Sequence, residues 1–357
     1  MVKLSIEQIE TPALLVDLDI MEDSIQKMDA YFTERKAKLR PHFKTHKCTE
    51  ISMMQMAAGA KGITCAKLSE AEVLAKAGIE DILIANQVVD TQKLGRLAEL
   101  ARSKRITVCV DNAENVADIS KAAEKCGSTI YIFIEIDIGM NRCGIFTKEE
   151  ALLLANQIMS APGLVFEGFQ AYAGQISHEA DLDARKRGVD EAIETVTNIK
   201  THLEKNGITA KEISGASTGT YNITGDNTIW TEIQAGSYVF MDTDYERLDL
   251  GFENSLSVLT TVINKRPGIA ITDAGQKVCC ITKGRPVIKG HPGLIVTSLN
   301  EEHGKIKDEN DSLSYLQKIE YIPSHCCSTV NLHDTLYGIR KGVLEKTMLI
   351  DGRGKSR

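Results

Sequence analysis

Short apolar, β-branched runs alternate along the first two thirds of the chain with longer stretches whose apolar residues recur every three or four positions. The runs are ALLVDL (13–18), KLRPHFK (38–44), GITCAK (62–67), DILIAN (81–86), ITVCVD (106–111), IYIFIEID (130–137), LVFEGFQAY (164–172) and EISGAS (212–217). Between them, LSEAEVLAKAG (68–78), TQKLGRLAELARSK (91–104) and AENVADISKAAEKCG (113–127) carry the helical period. Eight strands, each followed by a helix, predict a closed (β/α)8 barrel of the TIM type. An open doubly wound sheet is the competing solution, but LVDLDIMEDS lacks the Gly-rich fingerprint such sheets usually place after their first strand.

The pattern changes near residue 245. SVLTTVINK, GIAITDAG, GLIVTSLN, KIEYIPS and EKTMLIDGRG read as strands separated by turns, and no long amphipathic helix interrupts them. The expectation is therefore a barrel over residues 10–245 and a mainly antiparallel β-domain over 246–357. Residues 1–9, containing LSIEQIE, are assigned to the second domain. A length of 357 residues suits two domains.

Composition narrows the function classes. The net charge of −7, without a basic stripe, argues against nucleic acid, since nothing would neutralise a run of phosphates. No stretch approaches the roughly 20 apolar residues of a membrane helix, and MVKLSIEQIETP lacks a signal-peptide core, so the expected location is the cytoplasm. The nine cysteines are irregularly spaced and odd in number, which predicts thiols, mostly buried.

Candidate chemistry gathers where strands are predicted to end, which on a barrel is where active sites form. In RPHFKTHK, Lys44 sits among Arg40, His42, His46 and Lys47. A solvated basic turn is the plain reading; a lysine flanked by cations at a barrel mouth is also one available for Schiff-base formation near neutral pH. In IDIGMNRCGI, Asp137 and Gly139 shape a turn from which Arg142 can reach inward. SGASTGTY (214–221) closes the eighth predicted strand with small residues and hydroxyls, the makings of a phosphate nest. QAGSYVFMD (234–242) supplies a second such turn. In PSHCCSTVNLHD (323–334), His325 and Cys327 on an extended strand would face the same side. Imidazole and thiolate suit Zn²⁺ better than Mn²⁺ or Mg²⁺, and two ligands leave positions open for water and substrate.

Together these segments resemble the D-threonine aldolase / D-serine dehydratase family of metal-activated pyridoxal-phosphate enzymes with an alanine-racemase-like fold. The resemblance runs through TPALLVDLD, RPHFKTHK, CAKLSEAE, MNRCGI, the Tyr172 to His178 segment, SGASTGTY, GSYVFMD, EEHG and PSHCCSTVNLHD. It implies a homodimer and a small D-amino acid as substrate. It further implies that Lys44 carries pyridoxal 5′-phosphate as a Schiff base, that Arg142 lies near the cofactor's phenolate oxygen, and that Tyr172 lies against the ring. Ser217, Thr218, Gly219, Thr220, Gly236, Ser237 and Tyr238 match the phosphate-binding segments. His325 and Cys327 match the pair that holds a divalent metal, and His178 the histidine near metal and substrate hydroxyl. The chain departs from the family at Cys327, where aldolase-like members tend to carry aspartate, and at Cys279-Cys280, where small hydroxylated residues are expected.

The leading expectation is retro-aldol cleavage of a β-hydroxy D-amino acid, D-threonine or a 3-hydroxy-D-aspartate-like substrate. The alternative is β-elimination from D-serine or D-threonine. A non-catalytic pyridoxal-phosphate carrier would not need the extra β-domain. A racemase would need a second base, and neither Tyr315, Tyr321 nor Tyr337 has a context that singles it out.

Overall fold

Ile130–Ile136, a nearly unbroken apolar run, forms a strand buried at every position but Tyr131, as expected of a parallel strand covered on both faces. In the computed structural model, which describes residues 4–357, it is one of eight parallel strands. Their order is Lys38–Leu39, Glu232–Ile233, Glu212–Gly215, Leu164–Ala171, Ile130–Ile136, Arg105–Val110, Asp81–Ile84 and Ile63–Cys65. The two ends of this series meet. Lys61 N donates to Leu39 O at 2.9 Å, Thr64 N to Pro41 O at 2.9 Å and Phe43 N to Thr64 O at 2.7 Å, so the sheet closes into the predicted barrel. Leu83, Cys109 and Phe133 pack together across three adjacent strands. Strands 164–171 and 212–215 approach so closely that a Cβ on Gly215 would sit 1.8 Å from Ala171 O; only glycine fits there.

At the strand starts, buried charge is paired. Arg40, 3% exposed, donates to Glu232 through Nε and Nη2 at 2.9 and 2.8 Å and to Asp81 through Nη1 and Nη2 at 2.9 and 3.2 Å. The expectation that Arg40 adds a cation beside Lys44 is thereby corrected. A buried guanidinium must be paired, and this one spends its donors on two carboxylates.

The other unit is built on a nine-stranded sheet. Along its path run Ile295–Leu299, Gly304–Lys307, Ile269–Thr272, Leu256–Arg266, Ala13–Asp17, Thr335–Arg340 and Val343–Leu349. Lys318–Ile322 pairs with Leu256–Arg266 and with Val287–Ile288. Every pairing is antiparallel except that of Ala13–Asp17 with Thr335–Arg340. The only helix after residue 250, among the described residues, is the five-residue Cys326–Val330.

The run 13–18 thus lies in this sheet and not in the barrel, which corrects the strand count from sequence. Ala13–Val16 is buried at four successive positions, a pattern shared by barrel strands and by any strand central to another sheet. The eighth barrel strand is instead Glu232–Ile233, only two residues long. By contacts the chain divides into a unit of residues up to Lys27, Thr45–Glu50 and Ser237–Arg353, and a barrel unit of Met28–Lys44, Ile51–Gly236 and Gly354–Arg357. Residues 10–27 and 237–245 therefore group with the sheet, where the sequence placed them with the barrel. Ser5 bridges to Val343, and Leu344 N donates to Leu4 O at 2.8 Å, so residues 4–9 run along this sheet; residues 1–3 lie outside the described residues.

Candidate active site

Within the barrel unit the backbone ladder continues past Leu39: Arg40 N donates to Ile233 O and His42 N to Ala235 O. This carries the chain to Lys44, which is exposed while Pro41, His42 and Phe43 before it are buried. His42 Nδ1 accepts the Lys44 N–H at 3.3 Å. Lys44 Nζ lies 5.6 Å from the centroid of the Tyr172 ring. Arg142 Cζ lies 5.7 Å from the same centroid. Lys44 and Arg142, predicted cofactor residues at two strand ends, thus both lie near the ring of a third, Tyr172. Gly174 makes room for the ring, since a Cβ there would sit 2.7 Å from Tyr172 Cε1.

Arg142 is presented by a tight turn. Asp137 Oδ1 accepts Gly139 N–H at 2.8 Å and Oδ2 accepts Arg142 N–H at 3.0 Å. Burial opposes ionisation of Asp137, but these and neighbouring N–H groups prevail and hold its carboxyl below the usual range. Asp137 was visible in the sequence as a turn former. Glu135, Gln87 and Asp111, which stand behind Arg142, were not singled out. The available signal was a lone carboxylate inside the apolar run IYIFIEI.

The SGASTGTY and QAGS segments leave neighbouring strands at the same end, since Ser214 pairs with Glu232 and Gly215 with Ile233 in parallel. Ser217, Thr218 and Thr220 are 6%, 1% and 3% exposed. Ser217 Oγ and Thr220 Oγ1 are 3.3 Å apart. Gln234 Nε2 donates to Gln170 Oε1 on the Leu164–Ala171 strand and to Ser214 Oγ at 2.6 and 2.8 Å. Gly219 and Gly236 lie in these two loops. His178, half-buried, follows the turn Gly174–Ile176 after the Leu164–Ala171 strand.

Ser237, Tyr238, His325 and Cys327 belong to the sheet unit. The expected extended strand carrying His325 and Cys327 is corrected: His325 is the extended N-cap residue of the helix Cys326–Val330. The helix starts there because Asp242 Oδ2 accepts the Cys326 N–H at 2.9 Å. The two side chains still meet. A hydrogen bond in which the His325 ring donates to the Cys327 sulfur is the main cause that pushes the imidazole above its usual range. His325 Nδ1 is also hydrogen-bonded to Thr282 Oγ1 at 2.9 Å and to Ser328 Oγ at 3.1 Å, the kind of outer contact that fixes a ligating ring. Cys327 Sγ lies 3.5 Å from Thr45 Oγ1 and 3.8 Å from Ser237 Oγ. Among the described residues no three His, Cys, Asp or Glu side chains form a metal cluster. Imidazole and thiol together are donors that fit a borderline divalent ion. All nine cysteines are free thiols. No helix among the described residues is long and apolar enough to cross a membrane.

Comparison with known proteins agrees with this architecture. The alanine racemase N-terminal domain profile matches residues 16–244, and the serine dehydratase domain profile matches 255–339. The chain is 40% identical to D-threonine aldolase of Arthrobacter sp over 98% of its length and 94% of the relative's. It is 38% identical to 3-hydroxy-D-aspartate aldolase of Paracoccus denitrificans (strain Pd 1222), over 98% and 93%. D-threo-3-hydroxyaspartate dehydratase of Delftia sp. (strain HT23) is more distant, at 28% over 90% and 92%. The crystal structure of D-threonine aldolase from Filomicrobium marinum superposes with a TM-score of 0.98 at 37% identity, covering 100% of this chain and 99% of that one. An alanine-racemase-like barrel of this kind implies pyridoxal phosphate. The barrel unit's donors fit that group: an exposed amine and a guanidinium against one ring, and buried hydroxyls on glycine-bearing loops. On the match through the barrel and the full-length likeness to two aldolases, the chain belongs to the D-threonine aldolase / D-serine dehydratase family of alanine-racemase-like proteins.

Proposed function

We propose that the chain catalyses retro-aldol cleavage of a β-hydroxy D-amino acid, with pyridoxal phosphate on Lys44 and a divalent ion on His325 and Cys327. The observation that carries this reading is the convergence of Lys44 and Arg142 on Tyr172 at the strand ends, in a chain whose nearer relatives are aldolases and whose dehydratase relatives are more distant.

Lys44 Nζ would hold the cofactor, and as a free amine beside Cα it would be placed to deliver a proton there. Tyr172 would lie against the cofactor ring and Arg142 near its phenolate oxygen. Ser217, Thr218, Gly219, Thr220, Gly236, Ser237 and Tyr238 hold the phosphate through hydroxyls and backbone N–H groups. Bound pyridoxal phosphate supplies the electron sink that Cα–Cβ cleavage requires. A bound divalent ion, Zn²⁺ in preference to Mn²⁺ or Mg²⁺ given the cysteine, supplies Lewis acidity toward the β-hydroxyl. Thr282 and Ser328 orient His325 for that ligation. His178 takes the hydroxyl proton. Cleavage of Cα–Cβ releases the aldehyde, acetaldehyde from D-threonine or glyoxylate from 3-hydroxy-D-aspartate, and delivery of a proton to Cα gives glycine. The resemblance also supports a homodimer, which light scattering on the purified protein tests.

The deciding assay incubates the pyridoxal-phosphate-loaded protein with D-threonine and Zn²⁺ or Mn²⁺ and identifies products. Glycine plus acetaldehyde is expected; 2-oxobutanoate plus ammonia would assign β-elimination instead. Chelation should abolish turnover, with recovery on metal addition. Lys44→Ala should lose the Schiff-base absorbance, and persistence of that band would move the cofactor to another lysine.

A further inference from the structure

Arg142 is tied from behind as well as facing Tyr172. Glu135 lies on the Ile130–Ile136 strand and is 5% exposed. Its Oε1 stands 3.6 Å from Arg142 Nη2, and its Oε2 accepts from Gln87 Nε2 at 2.6 Å. The same amide nitrogen reaches Asp111 Oδ2 at 3.1 Å. That oxygen accepts Gly144 N–H at 3.1 Å, and Asn112 Nδ2 donates to Asp111 Oδ1 at 3.0 Å. Gln87, Asp111 and Glu135 come from the ends of three consecutive strands, so a belt of amide and carboxylates runs along the barrel rim and ends on Arg142.

The belt is costly to build. A carboxylate inside the run IYIFIEI gives up hydration, and burial pushes the Glu135 carboxyl up while Gln87 and Arg142 draw it back. An apolar residue there would pack without that cost. What the carboxylate does is restrain an arginine whose side chain is 51% exposed and which otherwise carries much rotamer freedom.

We propose that Glu135 is a positioning residue: held by Gln87 and Asp111, it fixes Arg142 against Tyr172 and balances its charge. This rests on the reading of Lys44 as the pyridoxal-phosphate lysine.

The test is a double-mutant cycle with E135Q and R142M, read by the absorbance of the bound cofactor, its dissociation constant by equilibrium dialysis, the thermal midpoint, and kcat and KM separately. E135Q keeps the shape and removes the charge. It should shift the cofactor absorbance, weaken cofactor retention about tenfold and lower kcat about tenfold, with KM within about threefold of the parent. In the R142M background the same change should alter retention less than about twofold, because the group it acts through is gone. E135D should recover part of the loss. Equal losses in both backgrounds, or a lower melting point with unchanged absorbance and retention, overturn the proposal. Should E135Q fail to fold, Gln87→Met loosens the same carboxylate without removing it and carries the same cycle. Failure of the cofactor reading is separate: the parent protein would then show no Lys44-dependent absorbance at all.

Discussion

Glu232 is a carboxylate with almost no access to water, 1% exposed, and its cations come from the barrel itself. Arg40 binds it through two nitrogens, and Lys61 Nζ lies 2.8 Å from Oε1. Burial alone would raise its pKa, but these charges override burial and hold it down at about 2, against an ordinary 4.5. A depressed carboxyl contributes stability above pH 4.5 and loses it as pH falls toward 2. At about 1.4 kcal/mol per unit, the contribution is about 3 kcal/mol. Glu232→Gln leaves Arg40 short of a partner, and a loss of about 3–5 kcal/mol in urea unfolding at pH 7 is expected. The gap between parent and variant should close as pH is lowered from 4.5 toward 2; a gap independent of pH in that window would show that the charge of Glu232 contributes nothing. Residues of this kind are poorly legible in a sequence. Glu232 opens a two-residue strand in TEIQAG, and nothing in that string marks an interior ion pair. Lys44, Arg142 and the SGASTGTY hydroxyls stood out because chemistry-bearing side chains at strand ends break an apolar pattern where barrels place their sites.

At the level of elements, seven of the eight barrel strands coincide with runs picked out by apolar content, because parallel strands buried on both faces leave nearly continuous hydrophobic stretches. The short Glu232–Ile233 strand escaped, and 13–18 was placed in the wrong sheet, since burial on both faces does not say which sheet provides the neighbours. The helix Cys326–Val330 was read as extended for a different reason: its cap comes from a residue 84 positions away. Asp242 Oδ2 accepts Cys326 N–H at 2.9 Å while Oδ1 accepts Tyr245 N–H at 3.0 Å, so one buried carboxylate starts two short helices. No local window of sequence contains that. Asp242→Ala would leave two buried N–H groups without acceptors, and a loss of about 2 kcal/mol in thermal unfolding is expected. Because Cys326 separates His325 from Cys327, the same change should weaken Zn²⁺ binding about 10- to 100-fold by isothermal titration. Lys44-dependent cofactor absorbance should persist in the metal-free variant. Unchanged Zn²⁺ affinity would mean that the helix start does not set the ligand pair.

For the whole molecule, the two units are not successive in sequence. The chain begins in the sheet unit, enters the barrel at Met28, returns for Thr45–Glu50, and leaves the barrel again at Ser237. Ala13–Asp17 is flanked by Leu256–Arg266 on one side and Thr335–Arg340 on the other, and Ile9, Ala13 and Leu15 share a core with Leu259 and Ile339. A cut near residue 245, the boundary that composition suggests, therefore removes a central strand from the sheet and leaves two long edges unpaired. The fragment 246–357 should be unfolded alone, with a collapsed amide NMR spectrum and no cooperative thermal transition. Adding residues 1–27 through a flexible linker ahead of Ser255 should restore dispersed resonances, because the missing strand then returns between its two partners. A fragment 246–357 that folds cooperatively by itself would show that the sheet can pair Leu256–Arg266 directly with Thr335–Arg340. In that case the N-terminal strand would be a late addition to a self-sufficient domain, and the interleaved chain path would carry no weight in specifying the fold.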